Sequence, residues 1–210
     1  MKNKLFGVAA LAAALFIFSG TAYAMTAPEF YALARGRPGI NAFAVTVQSA
    51  IETGHWKSCL WINAYNGAGI KAQASWRSAG KPYIRVSSPE SAGGNYIRRE
   101  SYFRSYSSPE EFIQDYRSKI LHDYPHSAAN ADNMWGYFAG LYGGRMGSWA
   151  TDHKYFQKLT YKAIQLAPEL LGAGWQKRLN SAYVLALHRK SLCEWQKNII
   201  QNALKEVDAK

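Results

Sequence analysis

Cysteine is nearly absent from this 210-residue chain, in which Cys59 and Cys193 are the only two. Two cysteines so far apart are more typical of a structural pair than of a catalytic or metal-binding one. A Cys59–Cys193 disulfide is therefore one interpretation, and two unpaired buried thiols are the other. The five histidines show no zinc-ligand spacing, because Pro125 breaks the helix that would align His122 with His126. We expect no metal and no cofactor.

Acidic residues are also scarce, since 14 Asp and Glu stand against 25 Lys and Arg, for a formal net charge of +11. Such a charge attracts a protein to anionic surfaces such as nucleic acid, phospholipid headgroups or a cell wall that carries carboxylates. The basic residues are spread along the chain and no nucleic-acid-binding motif is present. The composition therefore disfavours nucleic acid as the partner.

Long apolar runs are lacking except at the N-terminus, where Leu5–Phe18 follows Lys2 and Lys4. The run is shorter than the roughly 20 residues that a bilayer span needs. With the small residues of Ala22-Tyr23-Ala24 behind it, it is typical of a secretory signal peptide. We expect residues 1–24 to be cleaved after Ala24, which leaves an exported protein without stable membrane insertion and a net charge of +9.

The rest of the chain has mainly helical patterning, interrupted by one candidate hairpin. Thr26 and Glu29 form a capping box, and apolar residues from Ile40 to Ile51 predict a helix that ends at Glu52. Alternating aromatic and β-branched residues between 83 and 106 surround Gly-Gly-Asn and predict two strands. The expected fold is mainly α (α+β): a domain over residues 25–172 with one β-hairpin lobe, and a C-terminal helical extension over 173–210.

Glu52 is the first candidate for chemistry. It closes an apolar helix, and Gly54 and Trp56 follow within four residues. A carboxyl group held against apolar and aromatic atoms has a raised pKa and stays protonated near neutral pH, so that it can donate a proton.

Several spaced segments resemble a known family. AIETGHWKS (50–58) resembles the AxESGWGxS signature of glycoside hydrolase family 73, the bacterial N-acetylglucosaminidases that cut peptidoglycan. YNGAGIK (65–71) is similar to that family's YNxFGIK, and SSPE (87–90) to its TxE hairpin. FRSYSSPEEFIQDY (103–116) and WATDHKYFQKL (149–159) resemble its FRxYxSxxES and YATDPxYxxKL segments. The order and spacings agree over about residues 27–171.

The resemblance implies a lysozyme-like fold with a glycan-binding groove flanked by the hairpin lobe. It also implies that Glu52 is the general acid and that Glu90, in the position of the TxE glutamate, is the assisting carboxylate. Glu100 is the weaker candidate for that second role, since neighbouring arginines favour a paired surface residue, and Glu110 and Glu111 fit a helix cap. Inverting, retaining and substrate-assisted mechanisms all remain open, because they differ in the separation of the carboxylates and in the role of the N-acetyl group.

Aromatic side chains within the matching segments are candidates for the groove, because their faces suit the C–H faces of sugar rings. Asn66 could hydrogen-bond an acetamido group or stabilise its own turn, and Trp149 stands where the family commonly has Tyr. The candidate substrate-binding residues are Trp56, Tyr65, Asn66, Trp76, Trp149 and Tyr155.

Together these features predict an exported hydrolase that cleaves the β-1,4 bond between N-acetylglucosamine and N-acetylmuramic acid in peptidoglycan glycan strands. The alternatives are a non-catalytic peptidoglycan-binding or secretion and assembly accessory factor of the same fold, or a lytic transglycosylase or muramidase. We expect a monomer, with the C-terminal helices as a candidate contact for a secretion-system or cell-envelope partner.

Overall fold

The computed structural model describes residues 25–92 and 95–208, and their side chains except those of 88–92, 95–99 and 206–208. Helices dominate this part of the chain, as the sequence predicts. Their bounds are α1 (Ala27–Ala34), α2 (Ala42–Glu52), α3 (Cys59–Ala64), α4 (Ala74–Ser78), α5 (Pro109–Asp123), α6 (Pro125–Ala129), α7 (Met134–Gly140), α8 (Tyr155–Leu171), α9 (Trp175–Leu187) and α10 (Glu194–Asp208).

Side-chain caps begin the two N-terminal helices. At α1 the predicted capping box is confirmed, since the Thr26 hydroxyl accepts from the Glu29 N–H and the Glu29 carboxylate accepts from the Thr26 N–H. At α2 the Asn41 amide oxygen accepts from the Ala44 N–H at 2.9 Å. These bonds satisfy backbone donors that have no partner within the helix, and they set where α1 and α2 start.

Helix α2 lies at the centre of the core. It packs against α1, α7 and α8, and eight of its residues in a row, 43–50, are buried. A helix buried on almost all sides cannot shift without moving its neighbours, so its last residue has a rigid base. The largest fully buried side chains around it are aromatic: Trp56, Trp61, Trp135, Tyr116, Tyr137, Phe30, Phe112 and Phe138.

The predicted hairpin is confirmed as a two-stranded antiparallel sheet of β1 (Tyr83–Ala92) and β2 (Asn95–Arg104). Its register pairs Tyr83 with Arg104 at the base and continues through Pro89, opposite Arg98. Proline is tolerated in a two-stranded sheet because each strand has an outer edge whose N–H groups need no partner.

The base of the hairpin is attached to the helical body through the Gly-rich segment 65–71. Lys71 bridges to Phe103, and the Arg104 N–H donates to the Ile70 carbonyl at 2.9 Å. The Arg104 guanidinium also pairs with Asp115 of α5 at 2.7 Å. Two different elements therefore hold the same end of β2.

The C-terminal helices are not a separate appendage, because their apolar residues are part of the main core. Leu179 and Ala186 of α9 and Ile200 of α10 are buried in the same cluster as α2 and α8. Across the predicted boundary, the Trp135 indole N–H donates to the Leu179 carbonyl at 3.0 Å. The helical character expected for 173–210 is confirmed, whereas the boundary at 172 remains a prediction.

The candidate disulfide is not formed, because Cys59 and Cys193 are both free and exposed. Cys59 begins α3, while Cys193 lies immediately before α10, which packs on α7, α8 and α9. The alternative of unpaired thiols is confirmed, although they are exposed and not buried.

The signal peptide predicted over residues 1–24 lies outside the described residues. Within the described chain, no helix combines the length and the apolar character that crossing a bilayer requires.

The packing of α9 predicts a stability effect of a core residue beyond the proposed boundary. We expect Leu179→Ala to lower the free energy of unfolding by about 2–4 kcal/mol, because Leu179 is 5% exposed and truncation leaves a cavity. Val184→Ala on the same helix, at a side chain that is 53% exposed, should change it by less than about 0.5 kcal/mol. Urea unfolding measures both values. Equal, small effects would show that α9 does not stabilise the domain.

Candidate functional site

Glu52 lies at the C-terminal end of α2, and a hydrogen-bonded turn holds that end in place. The Thr53 hydroxyl donates to the Ser49 carbonyl at 2.6 Å and accepts from the Trp56 N–H at 2.8 Å. Gly54, His55 and Trp56 have φ values of 56°, 58° and 59°, which is an unfavourable left-handed conformation for the last two. These hydrogen bonds compensate for the strain of the left-handed residues and fold the segment after Glu52 back toward α2.

Trp56 is a core residue, which corrects its prediction as a groove residue. Its ring is 1% exposed and stacks on Phe30 at 5.2 Å between centroids, while its indole N–H donates to the Ser49 hydroxyl at 2.9 Å. Both faces of the indole are thus unavailable to a ligand. Its place in the segment after Glu52 is explained by anchoring of the helix end.

The Glu52 carboxyl group is half-buried and receives two hydrogen bonds. The Tyr155 hydroxyl donates to Oε1 at 2.6 Å, and the Trp149 indole N–H also hydrogen-bonds to the carboxyl group. Burial raises the pKa of Glu52, and this outweighs the two hydrogen bonds and the more distant Lys158 charge, which lower it. The carbonyl end of α2 adds to the cost of a negative charge here. The carboxyl group therefore holds its proton to higher pH than an exposed glutamate.

A buried chain of hydrogen bonds leads to Glu52 from the core. Tyr116 donates to the Gln48 side-chain oxygen at 2.5 Å, so Tyr137, 3.1 Å away, donates to Tyr116. The Gln48 amide nitrogen donates to the Tyr155 hydroxyl at 3.2 Å, and Tyr155 donates to Glu52. Because each hydroxyl has one hydrogen, these bonds all run in the same direction and aim the Tyr155 proton at the carboxyl group.

Tyr155 was predicted to line the groove, and the structure instead places its hydroxyl in a hydrogen bond with the Glu52 carboxyl group. Its ring is 5% exposed, so it supports Glu52 and offers little surface to a ligand. Gln48 and Tyr116 were missed by sequence reasoning. Gln48 carried a usable signal, because it is a large polar residue one helical turn before Glu52 on a mainly apolar helix.

A small cavity of about 160 Å³ adjoins Glu52. Gly69 of the Gly-rich segment lines it, and a Cβ atom placed on Gly69 would be 3.7 Å from Oε2 of Glu52. Trp149, the second hydrogen-bond donor to Glu52, lines it as well. The lining includes Gly69, Lys71, Gln73, Arg104, Lys119 and Trp149. This cavity is the space next to the Glu52 carboxyl group in which a ligand group fits.

Trp149 is half-buried between the rings of Tyr116 and Tyr124, at 5.6 and 5.2 Å between centroids. These contacts fix the indole so that its N–H reaches Glu52. Trp149 therefore lies beside the acid, and its use as a substrate-binding residue remains a prediction.

Asn66 has no free hydrogen-bonding group for a ligand, which corrects its predicted role in binding. It is completely buried, its amide N–H groups donate to the carbonyls of Ile70 and Arg104, and its oxygen accepts from the Ile70 N–H. The turn-stabilising alternative is confirmed. Asn66 shapes the segment that puts Gly69 beside Glu52.

Tyr65 and Trp76 are half-buried and do not line the cavity beside Glu52. Tyr65 has a left-handed φ of 45° and meets Trp61 edge-on at 5.6 Å. The Trp76 ring is in cation–π contact with Arg104 and Lys81, at 4.2 and 4.5 Å. A binding role for either ring stays a prediction, for a ligand that extends beyond the cavity.

Glu90 lies on β1 opposite Ile97, and its side chain is outside the described side chains. Its assignment as the second carboxylate is still a prediction. Glu100 pairs with Arg85 at 3.3 Å on the exposed surface, and Glu111 accepts from the Ser107 N–H at 2.6 Å at the start of α5. The surface and capping roles expected for these two residues are confirmed. Among the described residues there is no cluster of metal-ligating side chains.

Comparison with known proteins identifies relatives of this site. A family model described as mannosyl-glycoprotein endo-beta-N-acetylglucosaminidase matches residues 27–166, which include Glu52, Glu90, Trp149 and Tyr155. Over 136 residues the chain is 30% identical to the peptidoglycan hydrolase FlgJ of Pseudomonas aeruginosa, covering 62% of this chain and 32% of that protein. The chain thus spans about a third of the length of this relative.

Solved structures share the fold. The C-terminally truncated glycoside hydrolase domain of Salmonella typhimurium FlgJ is 29% identical, with a TM-score of 0.51, over 65% of this chain and 89% of that one. A peptidoglycan hydrolase mutant from Sphingomonas sp. A1 is 26% identical, with a TM-score of 0.52, over 77% and 99%. The expected glycoside hydrolase fold, of the lysozyme-like type, is confirmed.

The bond from Tyr155 predicts a change in the titration of Glu52. In Tyr155→Phe we expect the pKa of Glu52 to rise above that of the native protein, because a hydrogen bond that stabilises the ionised form is lost. Carbon-13 NMR of the Glu side-chain carboxyl groups across a pH series measures it. Tyr183→Phe on α9 removes a hydroxyl far from the site and should leave that titration unchanged. An unchanged or lowered pKa in Tyr155→Phe would contradict the arrangement.

Proposed function

Since the chain belongs to the mannosyl-glycoprotein endo-beta-N-acetylglucosaminidase family, we propose that it hydrolyses the β-1,4 bond between N-acetylglucosamine and N-acetylmuramic acid in peptidoglycan. The observation that carries the proposal is the Glu52 carboxyl group, half-buried, hydrogen-bonded by Tyr155 and adjacent to an open cavity. The names of the relatives, which are peptidoglycan hydrolases, support the choice of substrate.

Glu52 acts in this proposal as the general acid. Departure of a sugar leaves negative charge on the glycosidic oxygen, which is too basic to leave without a proton. The raised pKa of Glu52 keeps that proton available to higher pH than in an exposed glutamate. After transfer, the Tyr155 hydroxyl and the Trp149 indole stabilise the carboxylate that forms, because both donate to it.

Glu90 is the proposed second carboxylate. It lies on β1 six residues beyond Ile84, and Ile84 is near the base of the hairpin. At ~3.3 Å per residue, Glu90 is therefore about 20 Å along the strand from Ile84. For Glu90 to act on the same sugar as Glu52, the hairpin has to close over the bound strand. The base of the hairpin is attached to Ile70 and Lys71, which directly follow Gly69 beside Glu52. This attachment supports closure of the hairpin over Glu52.

Digestion of purified sacculi tests the reaction. After borohydride reduction of the products, we expect N-acetylglucosaminitol ends from the native protein. Glu52→Gln should lower the rate by about 10³-fold, since proton donation contributes about 10²–10⁴-fold to such steps. Glu90→Gln should also lose activity, whereas Glu110→Gln, an exposed carboxylate at the start of α5, should retain it.

Other products would contradict the proposal in distinguishable ways. Muramitol ends would mean a muramidase, and anhydromuramic ends a lytic transglycosylase. Binding to sacculi with no soluble fragments released would mean a non-catalytic wall-binding or accessory factor. Full activity in Glu52→Gln would overturn the acid assignment.

We further propose that the protein is exported and acts in the periplasm or outside the cell, as a monomer. The support is the signal-peptide pattern over residues 1–24 and the fact that peptidoglycan lies outside the cytoplasm. Expression in a bacterial host, with N-terminal sequencing of the protein from the periplasmic fraction, should find a chain that starts at Met25. A chain that keeps residues 1–24 and stays with the cytoplasm would contradict export.

A contact with a secretion-system or cell-envelope partner would use the C-terminal helices, where α9 exposes Val184 and Leu185. Loss of co-purification of such a partner in a Val184→Ser and Leu185→Ser double variant would support this contact, and its retention would contradict it.

A further inference from the structure

Gln48 is a completely buried amide near the end of α2. Its side-chain oxygen accepts from the Tyr116 hydroxyl of α5 at 2.5 Å, and its amide nitrogen donates to the Tyr155 hydroxyl of α8 at 3.2 Å. A buried amide is costly unless its polar atoms are hydrogen-bonded. Gln48 therefore joins two other helices to α2 through specific bonds, one helical turn before Glu52.

Tyr137 of α7 decides which way round this amide lies. Its hydroxyl is buried, and its hydrogen-bond partner among the described residues is the Tyr116 hydroxyl, at 3.1 Å. In a flipped Gln48 amide the N–H would donate to Tyr116, and Tyr116 would have to donate to Tyr137. The hydrogen of Tyr137 would then be buried without an acceptor, which is costly. The observed orientation gives every hydroxyl hydrogen in this chain of bonds an acceptor.

The orientation of the amide also determines which oxygen of Glu52 carries a proton. Tyr155 receives a hydrogen from Gln48, so its own hydrogen points to Oε1 of Glu52 at 2.6 Å. The carbonyl oxygen of a carboxylic acid is its better acceptor. The bond from Tyr155 therefore favours Oε1 as the carbonyl oxygen of protonated Glu52 and Oε2 as its hydroxyl.

Oε2 lies on the side of Gly69. A Cβ atom placed on Gly69 would be 3.7 Å from Oε2, and Gly69 lines the cavity beside Glu52. The Trp149 indole also hydrogen-bonds to the carboxyl group, and an indole N–H donates but does not accept. Trp149 therefore offers no acceptor for the proton on Oε2, which stays available to a ligand in the cavity.

We propose that Gln48 is a positioning residue for the proposed hydrolysis: its amide directs the Tyr155 hydroxyl to Oε1, so that Oε2 is the oxygen that donates the proton. In that step the Oε2–H bond breaks, the proton moves to the glycosidic oxygen, and the electron pair of the broken bond stays on the carboxylate. The charge spreads over both oxygens, and Tyr155 stabilises it at Oε1. The inference rests on the proposed function for the reaction, whereas the direction of the hydrogen bonds is a property of the protein without substrate.

Titration of Glu52 tests the direction of these bonds without depending on turnover. Gln48→Met removes both bonds of the amide and keeps a side chain of similar length. Tyr155 is then no longer directed at Oε1, so the pKa of Glu52 should rise above that of the native protein. Thr46→Val is the matched control, because it removes a buried hydroxyl of α2 that donates to the Ala42 carbonyl at 2.8 Å. It should leave the titration, followed by carbon-13 NMR of the Glu carboxyl groups, unchanged.

A double-mutant cycle separates positioning from a general effect on packing. If Gln48 acts through Tyr155, Gln48→Met should not raise the pKa of Glu52 further in a Tyr155→Phe background. A loss of packing would instead add to the shift in both backgrounds. The other charged or titratable groups near Glu52 are the same in all these variants: Tyr116, Lys158, Lys71, Arg104 and Lys119.

Activity on a soluble N-acetylglucosamine–muramic acid oligomer gives a second readout. Gln48→Met should lower kcat by about three- to tenfold, as expected for one lost hydrogen bond. KM should change little, because Gln48 is buried and contacts no ligand. The alkaline limb of the pH–rate profile should move to higher pH, since Glu52 keeps its proton to higher pH. Thr46→Val should change none of these quantities.

The outcomes separate this proposal from the proposed function. An unchanged Glu52 titration in Gln48→Met, or an equal further rise in the Tyr155→Phe background, would overturn the positioning role even if the glycan is cleaved. A rise confined to the native background would support it even if no glycan is cleaved, in which case only the proposed reaction fails.

Tyr116→Phe replaces Gln48→Met if that variant unfolds early. Without the Tyr116 hydroxyl the Gln48 amide is free to flip and to accept from Tyr155, which then no longer donates to Glu52. The pKa of Glu52 should again rise, and an unchanged pKa would overturn the positioning role.

Discussion

The hydrogen bond from Tyr155 to Glu52 is the interaction on which the rest of the site depends. It joins residues 103 positions apart and thereby links the end of α2 to the start of α8. Tyr155 can serve there only because Gln48 and Tyr116 orient its hydroxyl from the core. The position of the acid therefore depends on how α2 packs against α8.

Burial and hydrogen bonding act in opposite directions on this acid. Burial raises the pKa of Glu52, while the donors Tyr155 and Trp149 lower it, and burial prevails. The combination suits a group that has to keep a proton and then stabilise the anion left behind. A surface carboxylate would lack the first property, and an isolated buried one would lack the second.

Trp149 shows how a departure from the family pattern is accommodated. An indole N–H donates but does not accept, so Trp149 cannot replace every function of a tyrosine hydroxyl. It does keep one donor directed at Glu52, and the rings of Tyr116 and Tyr124 hold it in that orientation. Its neighbours in the lining of the cavity beside Glu52 include the cations Lys71, Arg104 and Lys119.

The sequence by itself determined the helices, the hairpin and the candidate acid, because caps, periodicity and local motifs act over a few residues. Tertiary structure decided which polar and aromatic side chains meet. Trp56 and Asn66 looked like ligand contacts and are buried supports, while Gln48 and the cavity beside Glu52 went unseen. These contacts join segments that are far apart in the chain, and only the packing of α2, α5 and α8 brings those segments together.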